Sequence, residues 1–319
     1  HGLLYPQNKK INMIRKDARD IKEKDLDGFE VLIQLAGISN DPFGNLKPEK
    51  IYDPTRNYAI KIAKMCKKLS IRYIFPSSCS VYGIGEGMLD ENGPTAPQTH
   101  YSLNKLQIEQ DLEKISDESF SPIALRLATV FGMSPRIRFD IVINMLCGMA
   151  VSEKKILLNS NGQSWRPHLD IEDVCEAFRC CIEWDYSGGK LLILNVGRND
   201  NNWKIIDIAK LIKSKVAGCK LNFIEKYGND KDYSLVKDKK IQDGVDKRTY
   251  QVNFDLIEKI LPKFKCHWDI ENGIDRLISD LDRIGLSKNI FKLRDFYRLQ
   301  QIEFLHKNGK INDNLFWTP

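Results

Sequence analysis

Short apolar runs alternate with helix-spaced patterns along the first half of the chain, and that alternation restricts the fold more than any other feature. Glu30–Leu35 (EVLIQL) is a buried-strand pattern closed by Ala36-Gly37. Pro48–Leu69 carries apolar residues at helical spacing, notably Ile60, Ala63 and Met65. Ile71–Phe75 reads as a second strand ended by Pro76-Ser77-Ser78. Tyr101–Ile115 is helical on Leu103, Leu106, Ile108 and Leu112, and Ile123–Leu127 is a third strand. Strand–helix–strand order with short connections requires a parallel sheet covered by helices on both faces. A proline inside a helix costs ~3 kcal/mol, so Pro54 predicts that the first helix starts at or after that residue.

After Gly132 the rhythm changes. Helices are expected over Phe139–Met149, Ile171–Trp184 and Trp203–Val216, with strands at Lys155–Leu158 and Leu191–Val196. Tyr227–Tyr250, dense in Asp and Lys, reads as an irregular excursion, and Leu293–Gly309 as an amphipathic helix on Phe296, Leu299, Ile302 and Leu305.

Composition removes several classes. Hydrophobic residues at 42% and charged residues at 29% give a globular balance, against disorder. No apolar run approaches the ~18–20 residues of a membrane span, and HGLLYPQNKK has no signal-peptide core. A net charge of +6, from 49 basic and 43 acidic residues, is a mild bias and no nucleic-acid stripe. Eight dispersed cysteines without a CxxC read as reduced thiols. The expected compartment is the cytoplasm, with no nucleic-acid, membrane or metal partner.

In an open parallel sheet, ligands bind beyond the carboxyl ends of the strands. Three strand ends carry small or polar residues: Ala36-Gly37-Ile38-Ser39, Ser77-Ser78-Cys79-Ser80 and Ala128-Thr129. The helix after the second opens with Tyr101-Ser102-Leu103-Asn104-Lys105, placing Tyr and Lys on one face. A phenol is a poor base near neutrality. An ammonium ~6 Å away at an effective dielectric of ~20 favours phenolate by roughly 3 kcal/mol. Such a pair can take a proton from an alcohol and return it, with a serine hydroxyl steadying the same oxygen. Taken alone, Tyr-x-x-x-Lys is a common surface pair.

Phe75-Pro76-Ser77-Ser78-Cys79-Ser80-Val81-Tyr82-Gly83, followed after 22 residues beyond Ser78 by Tyr101-x-x-x-Lys105, resembles the extended short-chain dehydrogenase/reductase superfamily. More narrowly it resembles the NAD-dependent nucleotide-sugar epimerases and dehydratases, of the UDP-galactose 4-epimerase kind. Lys16-Asp17-Ala18-Arg19-Asp20 resembles the G-D-x-R-D whose first Asp contacts adenine, and Leu35-Ala36-Gly37 the H-x-A-G cofactor turn, with Gln34 near the usual His. Arg126–Gly132 resembles the R-x-x-N-x-x-G segment near nicotinamide, with Thr129 where Asn is common. Arg166–Val174 resembles R-D-x-I-x-V-x-D, whose Arg holds the nucleotide diphosphate, and Asn195-Val196-Gly197 closes the pattern.

The resemblance implies an α/β fold, a Rossmann-like doubly wound parallel sheet with a smaller C-terminal α/β substrate domain. A partial NAD-binding domain is expected over 1–133, rejoined by 166–197, and a substrate domain over 134–165 and 198–319. Ser78, Tyr101 and Lys105 are the implied catalytic set. Asp17, Ala18, Leu35, Ala36, Gly37, Tyr101, Lys105 and Thr129 face NAD, in preference to NADP. Ser78, Cys79, Ser80, Arg136, Arg138, Arg166 and Arg248 face a nucleotide-diphosphate sugar. Arg166 should stand on a loop before the helix at Ile171. A homodimer is in keeping with the resemblance.

Two departures qualify this. No strand–GxxGxxG–helix unit precedes Asp17, where Gly2 is the one glycine. That unit brings backbone amides to the cofactor pyrophosphate, so the chain reads as N-terminally truncated, with weak NAD binding expected of it alone. The dehydratases place Asp-Glu after Ser or Thr, whereas Cys79-Ser80 stands here. Epimerisation by transient oxidation is therefore the leading expectation, with 4-keto reduction or dehydration behind it and an inactive binding scaffold as the competing class. Cys79 also resembles the proton-exchanging cysteine of GDP-fucose synthase, with His168 and His100 as candidate partners.

Overall fold

Residues 14–39, 48–184, 186–223 and 248–318 are described by a computed structural model, 48–51 by backbone only. Helix α1 (Pro48–Lys68) joins β1 (Val31–Ile33) to β2 (Arg72–Ser78); β3 (Ile84–Leu89), α2 (His100–Ile115), β4 (Ile123–Leu127) and β5 (Thr129–Phe131) follow. Next come α3 (Val142–Glu153), β6 (Lys155–Leu158), β7 (Trp165–Asp170), α4 (Ile171–Glu183), β8 (Leu192–Val196), β9 (Asn202–Lys204), α5 (Ile205–Lys215) and β10 (Lys220–Phe223). The last segment holds β11 (Thr249–Val252), α6 (Asp255–Ile260), α7 (Ile270–Arg283), α8 (Lys288–Phe291) and α9 (Arg298–Lys307).

Four parallel strands form the central sheet in the order β1-β2-β4-β8. Side chains alternate across it, as a two-residue period requires. Tyr73, Phe75 and Ala124 enter a core with Ala59, Ile62, Ala63 and Cys66 of α1 and Ile108 and Leu112 of α2. Ile74 and Leu125 enter the opposite core with Ala177, Phe178 and Cys181 of α4. The sheet is thus covered on both faces, the arrangement expected of βαβ units. A third core packs α3, α5 and α7 through Leu146, Ala150, Ile208, Ile212, Ile274 and Leu277. It adjoins the β6–β10 pair, while β5-β7-β9 make a separate three-stranded sheet.

Several expectations need correction. Helix α1 begins at Pro48, with Pro54 inside it. The proline forfeits one ladder bond, but the first turns are held from outside: Tyr52 is buried, and Asn104 of α2 donates to its carbonyl at 2.9 Å. Arg166 lies within β7 rather than on a loop, because its segment pairs with β5 on one side and β9 on the other. Trp203 belongs to β9, and α5 starts two residues later. The helix expected at Phe139 starts at Val142, since Phe139 donates its N–H to Phe296 and packs on the rings of Phe291 and Phe296. Of the expected excursion Tyr227–Tyr250, positions up to 247 lie outside the described residues, and Tyr250 is buried in β11. The glycine at position 2 also lies outside them.

One buried ion pair fastens α2 to the sheet. Arg126 of β4 donates to both oxygens of Glu109 of α2, at 2.8–3.3 Å, with both side chains almost fully enclosed. Ser77 of β2 donates a short bond to the same carboxylate. Arg126 also donates to the Tyr82 hydroxyl at 3.0 Å. Removing one member of such a pair leaves an uncompensated buried charge, costing about 3–5 kcal/mol. Arg126→Met should therefore lower the melting temperature sharply, and adding Glu109→Leu should recover much of the loss. Thermal melts of the three proteins check this, and a single variant melting with the parent would contradict it.

Candidate active site

The carboxyl ends of β1 and β2 and the start of α2 converge on one locality. Thr99 caps α2 by accepting from the Ser102 N–H at 3.2 Å, while Ser102 reaches back to Thr99. This capping box fixes where the helix begins, and so which way its first turn faces. Tyr101 stands in that turn, half-buried, with Lys105 one turn on. The Lys105 ammonium donates to the Pro76 carbonyl at 2.6 Å, which fastens it to the end of β2. It lies 4.5 Å from the Phe75 ring centroid and 5.7 Å from that of Tyr101. Ser78, the last residue of β2, is half-buried and accepts from the Ser80 N–H at 3.2 Å. Ser78, Tyr101 and Lys105 are thus gathered by β2 and α2.

Burial pushes the Lys105 ammonium down to about 8, and Glu109 one turn further along partly restores it. The unfolded chain keeps that proton up to ~10.4. Between pH about 8 and ~10.4 the unfolded state binds more protons, so this residue makes stability rise with pH across that window. NMR of chain labelled at lysine Cε should show one resonance titrating near pH 8 and missing from Lys105→Met. Titration of every lysine near its ordinary value would contradict this.

The turn after β1 is built by Gln34. Its side-chain amide donates to the Ala36 carbonyl at 2.7 Å and to the Tyr58 hydroxyl at 3.0 Å, and accepts from Tyr73 at 2.7 Å. Leu35, Ala36 and Gly37 are left exposed on this anchored turn. Thr129 stands in β5 opposite His168 of β7.

Asp17 and Ala18 lie at a 3-10 turn, Ala18–Asp20. The Asp17 carboxylate takes Arg19 at 2.6–2.9 Å through guanidinium and backbone, which holds it below the usual carboxylate range. Arg19 also donates to the carbonyls of Asn314 and Leu315, and Phe316 lies 3.3 Å from it, centroid to guanidinium carbon.

Cys79 faces the core. It is 1% exposed, its thiol donates to the Arg126 carbonyl at 3.1 Å, and burial holds that thiol far above its usual pKa. Ser80 is also buried, with a hydroxyl that has no partner among the described residues. Arg166 is buried, donating to the Trp165 carbonyl at 2.7 Å and, more closely, to that of Arg248, so those two arginines are neighbours. Arg138 bonds Asp140 at 2.8 Å and reaches the Ser39 hydroxyl at 2.8 Å, while Arg136 is exposed. His168 is fully buried, and neither ring nitrogen has a partner among the described residues. Burial foremost, then Arg166, pushes it down to about 3, so it stays neutral near pH 7. His100 is exposed and stacks on Tyr52, centroids 6.4 Å apart.

Residue pattern had not pointed to Glu109 or Arg298. Glu109 was visible as the next i+4 step after Tyr101 and Lys105 on the same helix face. Arg298 carries no comparable signal. Among the described residues no group of three or more His, Cys, Asp or Glu could hold a metal ion, and no helix is long and apolar enough to cross a membrane.

A parallel α/β sheet with a Tyr–Lys pair and a serine at one strand end defines a nicotinamide-dependent enzyme of the short-chain dehydrogenase/reductase class. The chain belongs to the NAD dependent epimerase/dehydratase family, whose model matches residues 6–197. It is 25% identical over 230 residues to the uncharacterized UDP-glucose epimerase YtcB of Bacillus subtilis, spanning 69% of this chain and 68% of that protein. Among solved structures it resembles TunA, an NAD-dependent NDP-hexosamine 5,6-dehydratase of tunicamycin biosynthesis, with a TM-score of 0.72. That match is 15% identical and covers 88% of this chain and 86% of the other. The Bacillus cereus UDP-glucuronic acid 4-epimerase, solved with UDP-glucuronic acid and NAD, gives a TM-score of 0.69 at 18% identity, over 87% and 83% of the two chains.

The donor set that would suit NAD at its nicotinamide end is present: an ammonium fixed to β2 beside a tyrosine, and an exposed, anchored turn after β1. At the adenine end the fit is poorer, because the Asp17 carboxylate is already taken by Arg19.

Proposed function

We propose that this chain is an epimerase of nucleotide-diphosphate sugars that oxidises one sugar hydroxyl transiently and reduces the ketone again from the other face. The observation that carries this reading is the anchoring of Lys105, 5.7 Å from the Tyr101 ring centroid, to Pro76 of β2, the strand that ends at Ser78. NAD, when bound, supplies the hydride acceptor and donor. Tyr101 takes the hydroxyl proton as the carbon is oxidised and gives it back on reduction. Lys105 favours the phenolate through its charge and holds its place through Pro76. Ser78 orients the reacting oxygen with its hydroxyl. Arg166 and Arg248, neighbours on β7 and beside β11, serve the diphosphate, since guanidinium forks match paired phosphate oxygens. In this reading 1–133 with 166–197 carries the cofactor, and 134–165 with 198–319 carries the sugar nucleotide.

Epimerisation is favoured over dehydration because Cys79 and Ser80 supply no carboxyl group to protonate a leaving hydroxyl. A thiol-based proton exchange is disfavoured by the enclosed Cys79, whose thiol is committed to a backbone carbonyl. The name of the uncharacterized Bacillus subtilis relative, a UDP-glucose epimerase, supports the same choice. With NAD and UDP-glucose, Tyr101→Phe should cut turnover by ~10²–10⁴, the range for loss of acid–base help, while substrate binding persists. Near-parent turnover would remove Tyr101 from the chemistry.

A further inference from the structure

Segment 136–140, between β5 and α3, is tied to the start of α9. The Phe139 N–H donates to the Phe296 carbonyl at 3.1 Å. Asp140 joins the two sides: one oxygen accepts from the Arg138 side chain at 2.8 Å, the other from the Arg298 backbone N–H at 3.0 Å. Leu299, next along, is buried against Tyr52 in a cluster that includes Ile38 and Tyr101. Arg138 meanwhile reaches Ser39 in the turn after β1. Three arginines, Arg136, Arg138 and Arg298, are thereby collected at this junction, where Arg138 reaches the cofactor turn and Arg298 precedes the leucine whose cluster includes Tyr101.

The Arg298 guanidinium is half-buried, with no hydrogen-bond or ion-pair partner among the described residues. Burial opposes its charge, and Arg138 and Arg136 oppose it further, against the weaker help of Asp140. It also sits in the first turn of α9, where the helix dipole disfavours a cation. A desolvated guanidinium among like charges is costly unless an anion completes the site. The aliphatic stem could pack without a charged partner, but that would not call for two more guanidinium groups at the same spot. Arg298 also lies beyond residues 6–197, the stretch the family model matches.

We propose that Arg136, Arg138 and Arg298 form an anion subsite beside Tyr101 that takes a carboxylate on the substrate sugar, so that the chain prefers a nucleotide-linked uronic acid to the neutral hexose. The proposal rests on the reading of the site as a sugar-nucleotide epimerase. In that reading the diphosphate falls to a different pair, Arg166 on β7 and Arg248 just before β11. An anion next to the tyrosine that receives the sugar hydroxyl belongs to the sugar itself, and a carboxylate fits a guanidinium fork with two parallel bonds.

Calorimetry on the full chain with NAD present tests this, with UDP-glucuronic acid and UDP-glucose as probes. The parent should bind the uronic acid at least about tenfold tighter, about 1.4 kcal/mol. Arg298→Gln should collapse that ratio, and Arg298→Lys should restore part of it. Equal parent affinities, or a ratio indifferent to Arg298→Gln, would overturn the subsite while leaving the epimerase reading intact. Equal losses for both ligands would also overturn it, assigning Arg298 to the diphosphate. Thermal shift with free glucuronate separates the two claims. If neither sugar nucleotide binds but glucuronate stabilises the parent and not Arg298→Gln, the subsite stands and the epimerase reading falls. If glucuronate stabilises neither, both fall.

Discussion

The Glu109–Arg126 pair carries more of this structure than its two residues suggest, because it joins three elements whose relative placement makes the site. Glu109 belongs to α2, Arg126 to β4, and Ser77 of β2 donates to the same carboxylate. Enclosed charges tolerate little misalignment, since any lengthened bond exposes a desolvation cost. The pair therefore fixes α2 in rotation and height against the sheet. Lys105, one turn before Glu109, is carried to the end of β2, and the Tyr101 ring, one turn earlier again, lies with its centroid 5.7 Å from the Lys105 ammonium. Beyond Arg126 the polar chain continues through Tyr82, whose hydroxyl lies 2.8 Å from Asn195 on β8. Asn195 in turn donates its backbone N–H to Glu91 at 2.7 Å.

This polar spine also shapes the electrostatics above it. Lys105 is desolvated enough to lose affinity for its proton, and Glu109 limits that loss. The result is an ammonium held near its titration range beside a phenol, a useful setting for moving one proton back and forth. Cys79 illustrates the opposite outcome on the same strand end. Its thiol is drawn into the core beneath Arg126 and is chemically quiet.

Legibility from sequence followed burial. The central strands were readable because a strand covered on both faces is continuously apolar, as in Ile71–Phe75 and Ile123–Leu127. Strand β3 (IGEGML) is mostly exposed and gave no apolar run, and β7 was hidden because Arg166, His168 and Asp170 are buried polar residues in a strand. Pro54 misplaced the start of α1 because a local rule was outweighed by the tertiary hold on Tyr52. In the candidate site, Tyr101, Lys105 and Ser78 were expected from the family resemblance, since the spacing alone is that of a common surface pair. The engagement of Asp17 by Arg19 was not, nor the approach of 314–316 to Arg19, since contacts separated by about the whole chain leave no local pattern.

The central claim is that the sugar carbon gives up and regains a hydride inside the site, with Tyr101 handling only the hydroxyl proton. Turnover of a UDP-sugar in deuterated water, followed by NMR of the product, tests it most directly. Hydride return predicts an inverted carbon free of solvent deuterium. Deuterium at that carbon would mean that a base removes its proton outright, and would contradict the account.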